Sequence, residues 1–184
     1  QYQVVITGTC APTTSAPGIL TVNTLPLVTV NPVDATVCEG LGTSFSVTAT
    51  GTGITYQWQE DTGTGFVNLA NGGVYSNVTT ATMNISNVLG KGGYRYRAVV
   101  SGTCSPASTS TSATLTEQKN PVVTVPPSNS TVCAGNNTTF SVTATGTGLT
   151  YQWQENGINI TNGGIYSGAT TSTLTLTGVT VGMT

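Results

Sequence analysis

Histidine is absent from this 184-residue sequence, and charge is scarce, with four Lys or Arg against six Asp or Glu and a formal balance of -2. Without histidine no Ser-His-Asp or Cys-His arrangement can form, so nucleophilic catalysis of those kinds is excluded. Glu60 and Asp61 are the one adjacent acid pair. Neighbours on a strand point to opposite faces, which suits a solvated hairpin edge better than shared acid-base work. The chain is therefore expected not to be an enzyme, with no catalytic residue to name. The scattered acids make no D-x-D-x-D calcium loop, no C-x-x-C is present, and the glycines of the "GTG" type sit between strands rather than before a helix. Neither metal nor cofactor is expected. A nucleic-acid partner needs a basic stripe that these four cations cannot supply. No apolar run approaches the roughly 18 residues of a membrane span, so no membrane insertion is expected. No basic stretch leads into an apolar one as in a secretory leader, which makes a mature segment the expectation.

What is present is Thr, Ser, Asn and Gly, interleaved with Val, Ile, Leu, Tyr and Ala in short alternating runs, the composition of strands. Residues 31–60, "NPVDATVCEGLGTSFSVTATGTGITYQWQE", match residues 126–155, "PPSNSTVCAGNNTTFSVTATGTGLTYQWQE", at 21 of 30 positions. This is an internal repeat. "NGGVYSNVTTATMNISNV" from Asn71 then answers "NGGIYSGATTSTLTLTGV" from Asn162, while the loop between them shrinks from "DTGTGFVNLA" to "NGINIT". The first repeat continues into "YRYRAVVSGTCSPASTSTSATLT", and the counterpart of that stretch is the opening "QYQVVITGTCAPTTSAPGILTV". Three segments are expected: 1–24, 25–120 as a complete domain, and 121–184.

Within 25–120 the period is two. Phe45, Val47 and Ala49 alternate with Ser46 and Thr48; Ile54, Tyr56 and Trp58 with Thr55, Gln57 and Gln59; Tyr94, Tyr96, Ala98 and Val100 continue the pattern. One apolar face per strand between Gly-rich turns describes an all-β antiparallel sandwich of about seven strands. Phe140, Val142 and Trp153 are the matching core residues of the second repeat.

"FSVTATGTGITYQWQ" resembles strands B and C of an immunoglobulin-like domain, with Trp58 as the core tryptophan and Val47 at the usual B-strand cysteine position. "GGYRYRAVV" resembles the entry to strand F, where Tyr94 would be the tyrosine corner and Tyr96 stands in for the second cysteine. With "VCEG" before strand B and "GTCSP" after strand F, the repeats are similar to the Ig-like repeats of large secreted surface proteins and adhesins of bacteria. The resemblance implies tandem sandwiches, an extracellular place at the cell surface, and a core role rather than sugar stacking for the two tryptophans. Arg95 and Arg97 would lie on the solvated outer face near Gln57 and Gln59.

On this labelling residues 121–184 hold strands A to E only, and residues 1–24 hold F and G. Lacking F and G, the second repeat would expose Phe140, Val142, Tyr151 and Trp153, forfeiting on the order of 10–18 kcal/mol, about a domain's whole stability. Thr184 aligns with Gly93 and Gln1 with Arg95. The expectation is that identical copies follow head to tail, the N-terminal segment of each completing the last domain of its neighbour through Tyr2, Val4, Ile6, Ile19 and Thr184. The alternative is adjacent repeats of one very long chain. The cysteines recur at matching places and suit an oxidising compartment. The same labels put Cys38 and Cys104 at opposite ends of a sandwich, which favours Cys38 with Cys10 of the next copy and Cys104 with Cys133 of the previous one, against one bond within each domain. A structural filament or stalk unit is the leading function, with an adhesin or carbohydrate-binding accessory repeat as alternative. Glycans are a candidate partner on that alternative. Asn77, Asn84, Asn129, Asn136, Asn137 and Asn159 fit N-x-[ST], matches that a Thr-rich sequence also produces by chance.

Overall fold

The computed structural model describes residues 1–183, so the assembly role expected of Thr184 lies outside the described residues. Those residues contain strands, turns and no helix. The N-terminal stretch holds β1 (Val5–Ile6) and β2 (Thr13–Thr14). The first repeat holds β3 (Leu27–Val30), β4 (Ala35–Cys38), β5 (Thr43–Ser46), β6 (Thr48–Thr50), β7 (Thr55–Asp61), β8 (Phe66–Asn68), β9 (Tyr75–Ser76), β10 (Thr82–Ile85), β11 (Arg95–Ser101), β12 (Ser108–Thr109) and β13 (Ala113–Gln118). The second repeat holds β14 (Val122–Val125), β15 (Thr138–Ser141), β16 (Thr143–Thr145), β17 (Gln154–Glu155), β18 (Ile158–Asn159), β19 (Tyr166–Ser167) and β20 (Thr173–Leu176).

By spatial clustering the chain forms two compact units. One contains Gln1–Ala35, Gly42–Asn87 and Gly93–Thr116; the other contains Thr36–Leu41, Val88–Gly92 and Glu117–Thr184. In the first repeat one sheet runs β4-β13-β11-β7-β8, with β12 also on β11, and the other face is built from β5-β10-β9 and β3-β6. Alternation then decides the core. Phe45, Val47, Trp58, Met83, Ile85, Tyr96, Ala98, Val100, Ala113 and Leu115 are buried between the sheets, while Tyr94 is half-buried at the mouth of β11.

Strand B is not continuous. It breaks at Val47, whose N–H bonds the Ala81 carbonyl, so β5 pairs with β10 and β6 pairs with β3. The second repeat copies this: β15 pairs with β20, β16 with β14, and each A-strand carries a bulge at the equivalent place. The turn after β6 is sterically fixed as well. Gly51 has φ 143° and Gly146 φ 146°, and an added Cβ would come within 2.8 Å of Pro26 Cα or 3.0 Å of Pro121 Cα. Only glycine tolerates both the dihedral and the approach.

Candidate assembly site: an open sheet edge and a free hairpin

In the first repeat, strand β11 enters between β7 and β13 and pairs with β7 along all seven residues, from Arg95 opposite Asp61 to Ser101 opposite Thr55. Inward, the Tyr96 ring stacks on Phe45 at 5.0 Å between centroids. Its hydroxyl donates to Glu60 Oε2 at 3.0 Å, and the Tyr75 hydroxyl donates to the same oxygen. Burial first, then the partnership with Glu60, pushes the Tyr75 phenol well above its ordinary range. Burial first, then the neighbouring Tyr75 hydroxyl, does the same for Tyr96. Both therefore stay protonated donors to one carboxylate.

Outward, Arg95 Nη2 meets Asp61 Oδ2 at 2.6 Å. The N–H groups of Gly63 and Gly65 donate to the other Asp61 oxygen at 2.8 and 2.9 Å. These backbone donors first, and then Arg95, hold the Asp61 carboxyl below the usual carboxylate range. Arg97 Nε donates to Gln59 Oε1 at 2.8 Å, with its guanidinium 3.9 Å from the centre of the Phe66 ring. The acid pair is thus no solvated hairpin edge, and the two arginines are not merely a solvated face. Crossing the strand pair puts each charge opposite a partner, and Asp61 is buried beneath its guanidinium. Alternation along one strand could not reveal that pairing.

The second repeat reproduces half of this arrangement. Trp153 Nε1 donates to the Thr171 carbonyl at 2.9 Å, as Trp58 Nε1 does to Thr80. Gln152 Nε2 reaches the carbonyls of Trp153 and Ile160, as Gln57 reaches Trp58 and Leu69. The Tyr166 hydroxyl lies 3.1 Å from each Glu155 oxygen, with its phenol pushed up by burial and then by Glu155. What differs is the edge. Strand C shrinks to β17, which pairs with β18; among the described residues no strand pairs with its other side. The stretch equivalent to β4 is not a strand here, and Phe140, Val142 and Trp153 are only half-buried. A cleft of about 680 Å³ is lined by Phe140, Leu176, Val179, Val132, Glu155 and Asn156 among others; Phe140 and Glu155 are the counterparts of Phe45 and Glu60, which Tyr96 touches in the first repeat.

Residues 1–22 repeat the backbone pattern of the β11 to β13 hairpin. Tyr2 and Gly18 exchange both backbone bonds, at 2.9 and 2.7 Å, as Tyr96 pairs with Ala113. Val5 and Ile6 pair with Thr14 and Thr13, as Val99 and Val100 pair with Thr109 and Ser108. The Ser15 hydroxyl accepts from Val4 N–H and donates to the Ala16 carbonyl; the Ser110 hydroxyl accepts from Ala98 N–H and donates to the Thr111 carbonyl. The pairing is that of the β11 to β13 hairpin of the first repeat, with every residue of 1–22 exposed. Tyr2, Val4 and Ile6 are 69%, 55% and 59% exposed, whereas Tyr96, Ala98 and Val100 are at 0%. The register corrects one expected assembly contact. The turn is a residue shorter than in the first repeat, so Leu20 takes the place of Leu115, and Ile19 falls on the outward face.

None of the four cysteines is bonded to another; Cys10, Cys38 and Cys133 are exposed and Cys104 is half-buried. Cys38 ends β4, and Cys104 lies in the turn between β11 and β12. Among the described residues no three potential metal ligands gather.

The sheets, the buried tryptophan and the B-strand switch define tandem immunoglobulin-like β-sandwiches. Comparison with solved structures agrees: the chain superposes on the titin I-band fragment I67–I69 with a TM-score of 0.71 at 19% identity, covering 89% of this chain and 58% of that one. It matches Sidekick-1 immunoglobulin domains 1–5 at 0.62 and 17%, covering 87% and 34%, and Drosophila OTK extracellular domains 3–5 at 0.57 and 18%, covering 93% and 58%. The chain thus spans about a third to three fifths of the length of these structures. At such identities the likeness is one of fold. No family model and no curated protein matches the sequence.

Proposed function

We propose that this chain is a structural building unit of an extracellular filament or surface stalk, in which residues 1–22 of one copy complete the second repeat of the copy before it. One observation supports the reading: residues 1–22 repeat the hairpin pairing of β11 to β13 with Tyr2, Val4 and Ile6 exposed, while the second repeat leaves Phe140, Val142 and Trp153 half-buried beside an edge unpaired among the described residues. Seating Tyr2, Val4 and Ile6 where Tyr96, Ala98 and Val100 sit in the first repeat buries three apolar side chains. That contributes roughly 5–9 kcal/mol before the cost of association, with main-chain pairing along the open edge added. The Tyr2 hydroxyl then reaches Glu155 as Tyr96 reaches Glu60. Because the donating and accepting surfaces differ, the contact is heterologous, and it repeats into a string where the rotation between copies does not close a ring.

The joint between domains fits the same scheme. Thr24 N–H donates to Thr52 Oγ1 at 3.0 Å, and Lys119 N–H donates to Thr147 Oγ1 at 2.9 Å. The segment after the free hairpin is therefore held as the segment after β13 is held. Asn120 N–H donates to Glu39 Oε1, next in sequence to Cys38. In the first repeat the turn carrying Cys104 bonds through Thr103 N–H to the Thr52 carbonyl. In a completed second repeat, Cys10 occupies that turn beside Thr147 and so on the side of Cys38, which favours a Cys38–Cys10 bond between copies. By the same relation Cys104 meets Cys133 of the previous copy.

The copies of this proposal are separate chains; adjacent repeats of one longer chain would present the same joints. Denaturing electrophoresis of native material separates the two. With reductant, a band at the mass of a 184-residue chain supports exchanged subunits, and a very large band supports a continuous array. Without reductant, a ladder that collapses on reduction supports the bonds between copies. Uniform fibres without added ligand favour the structural role, whereas a monomer retained on glycan or host-protein arrays favours the adhesin or carbohydrate-binding reading.

A further inference from the structure

We infer that the outer face of the strand C to strand F contact carries a residue key that matches the free hairpin to the second repeat of another copy and mismatches it to the first. This rests on the reading that a hairpin from one copy completes the second repeat of another. In the first repeat the key is charged: Arg95 on buried Asp61, and Arg97 on Gln59 with its guanidinium over Phe66. The free hairpin has Gln1 and Gln3 at the two arginine positions, since Tyr2 holds the place of Tyr96. The second repeat has Asn156 at the Asp61 position of the sequence, where "QED" becomes "QEN", although Asp61 ends a strand and Asn156 opens the two-residue turn between β17 and β18 with φ 52°. It has Gly157 at the Phe66 position, because Gln154 Nε2 bonds Asn159 Oδ1 at 2.9 Å as Gln59 Nε2 bonds Asn68 Oδ1 at 2.8 Å.

Both halves of the key change together. Arg, Arg, Asp and Phe in the closed repeat become Gln, Gln, Asn and Gly across the open one. On the register of the first repeat Gln1 faces Asn156 and Gln3 faces Gln154, and all four side chains are neutral amides able to donate and accept. A free hairpin placed on the first repeat would leave Asp61 without its guanidinium. The hairpin of the first repeat placed on the second would set two guanidiniums over an amide and a glycine. Unpaired charge at a partly desolvated contact is penalised more than a matched pair is rewarded. The consequence is a single register: a first repeat keeps its own β11 to β13, and growth adds a second copy only at the open cleft.

The test uses the full chain and reads the protein concentration at which half the chains are assembled, by sedimentation under reducing conditions. Gln1→Arg and Asn156→Asp are made singly and together. Each single variant raises the half-assembly concentration, Asn156→Asp by roughly three- to tenfold, the scale of a part-exposed charge left without its partner. The double variant returns to within about twofold of the parent, because the Arg95 to Asp61 pair has been rebuilt between copies. Thermal unfolding of the first repeat serves as the folding control and stays unchanged in all three. Single effects that merely add in the double variant overturn the key while leaving strand completion standing. A parent chain that stays monomeric at every concentration overturns strand completion itself.

Discussion

Trp58 and Trp153 occupy equivalent places and make the same indole hydrogen bond, at 2.9 Å to the carbonyls of Thr80 and Thr171, yet one is fully buried and the other half-exposed. The same holds for Phe45 against Phe140 and Val47 against Val142. Local structure is therefore set without strands β11 to β13: the β5–β10 and β15–β20 pairing, the bulged β3–β6 and β14–β16 pairing, and the side-chain bonds of Gln57 or Gln152 form in both repeats. Strands F and G supply the second wall of the core and the long pairing that makes strand C a strand. A seven-residue β7 becomes a two-residue β17 that, among the described residues, pairs with β18 on one side alone. The difference between the repeats is thus a difference in what covers them, since the sequences beneath are nearly the same.

The comparison breaks most directly at the hairpin. Ile6→Asp places a carboxylate where Val100 is fully buried in the first repeat, and burial of an unpaired charge costs several kcal/mol. Assembly measured by sedimentation should weaken by about a hundredfold or more, while unfolding of the first repeat stays put. If assembly survives, the hairpin is not the missing wall. A finer division comes from the two tryptophans. Trp58→Ala should cost about 3–5 kcal/mol in denaturant unfolding, and Trp153→Ala in unassembled chains less than half of that. The gap should narrow once chains assemble, because the cavity then lies in a closed core in both repeats. Tyrosine hydroxyls give a smaller effect. Tyr96→Phe removes a hydrogen bond to a carboxylate and should lower the stability of the first repeat by about 1.5–3 kcal/mol; Tyr2→Phe should leave unfolding unchanged and appear only as weaker assembly.

Much of this fold is legible in sequence because period-two alternation reports burial directly. Phe45, Trp58, Met83, Tyr96, Val100 and Leu115 all lie on the inner face that the alternation assigns. The break of strand B at Val47 is not legible, since "FSVTAT" alternates without interruption while its hydrogen-bond partner changes from β10 to β3. The cross-strand partners of Glu60 and Asp61 escape a reading taken strand by strand, because register between distant strands decides them. A signal for the outer key was nonetheless present. Setting "RYR" against "QYQ" and "QED" against "QEN" shows the arginines and the aspartate disappearing together. The one-residue difference between the two turns is legible as a spacing, Pro26 following Cys10 by 16 positions and Pro121 following Cys104 by 17; the pairings of Val5 with Thr14 and of Tyr2 with Gly18 place it in the turn.

The smallest contrast is in acid. Asp61 has its folded carboxyl lowered by Gly63, Gly65 and Arg95, so it favours the folded state above the ordinary aspartate range. That contribution is lost as pH falls through the lowered folded value, where the unfolded carboxyl is already protonated. Glu117, lowered by Lys119 and by the N–H groups of Gly90 and Gly92, acts in the same direction. The position equivalent to Asp61 in the second repeat is Asn156, which does not titrate. Thermal midpoints recorded between pH 6 and about pH 2 should therefore fall for the first repeat, and Asp61→Asn should flatten part of that fall at a modest loss near neutrality. Asn156→Ala should leave the slope with pH unaltered. An Asp61→Asn chain whose midpoint still falls as steeply as the parent would place the acid sensitivity elsewhere, and would show that the Arg95 pair orients strand β11 without adding to its stability.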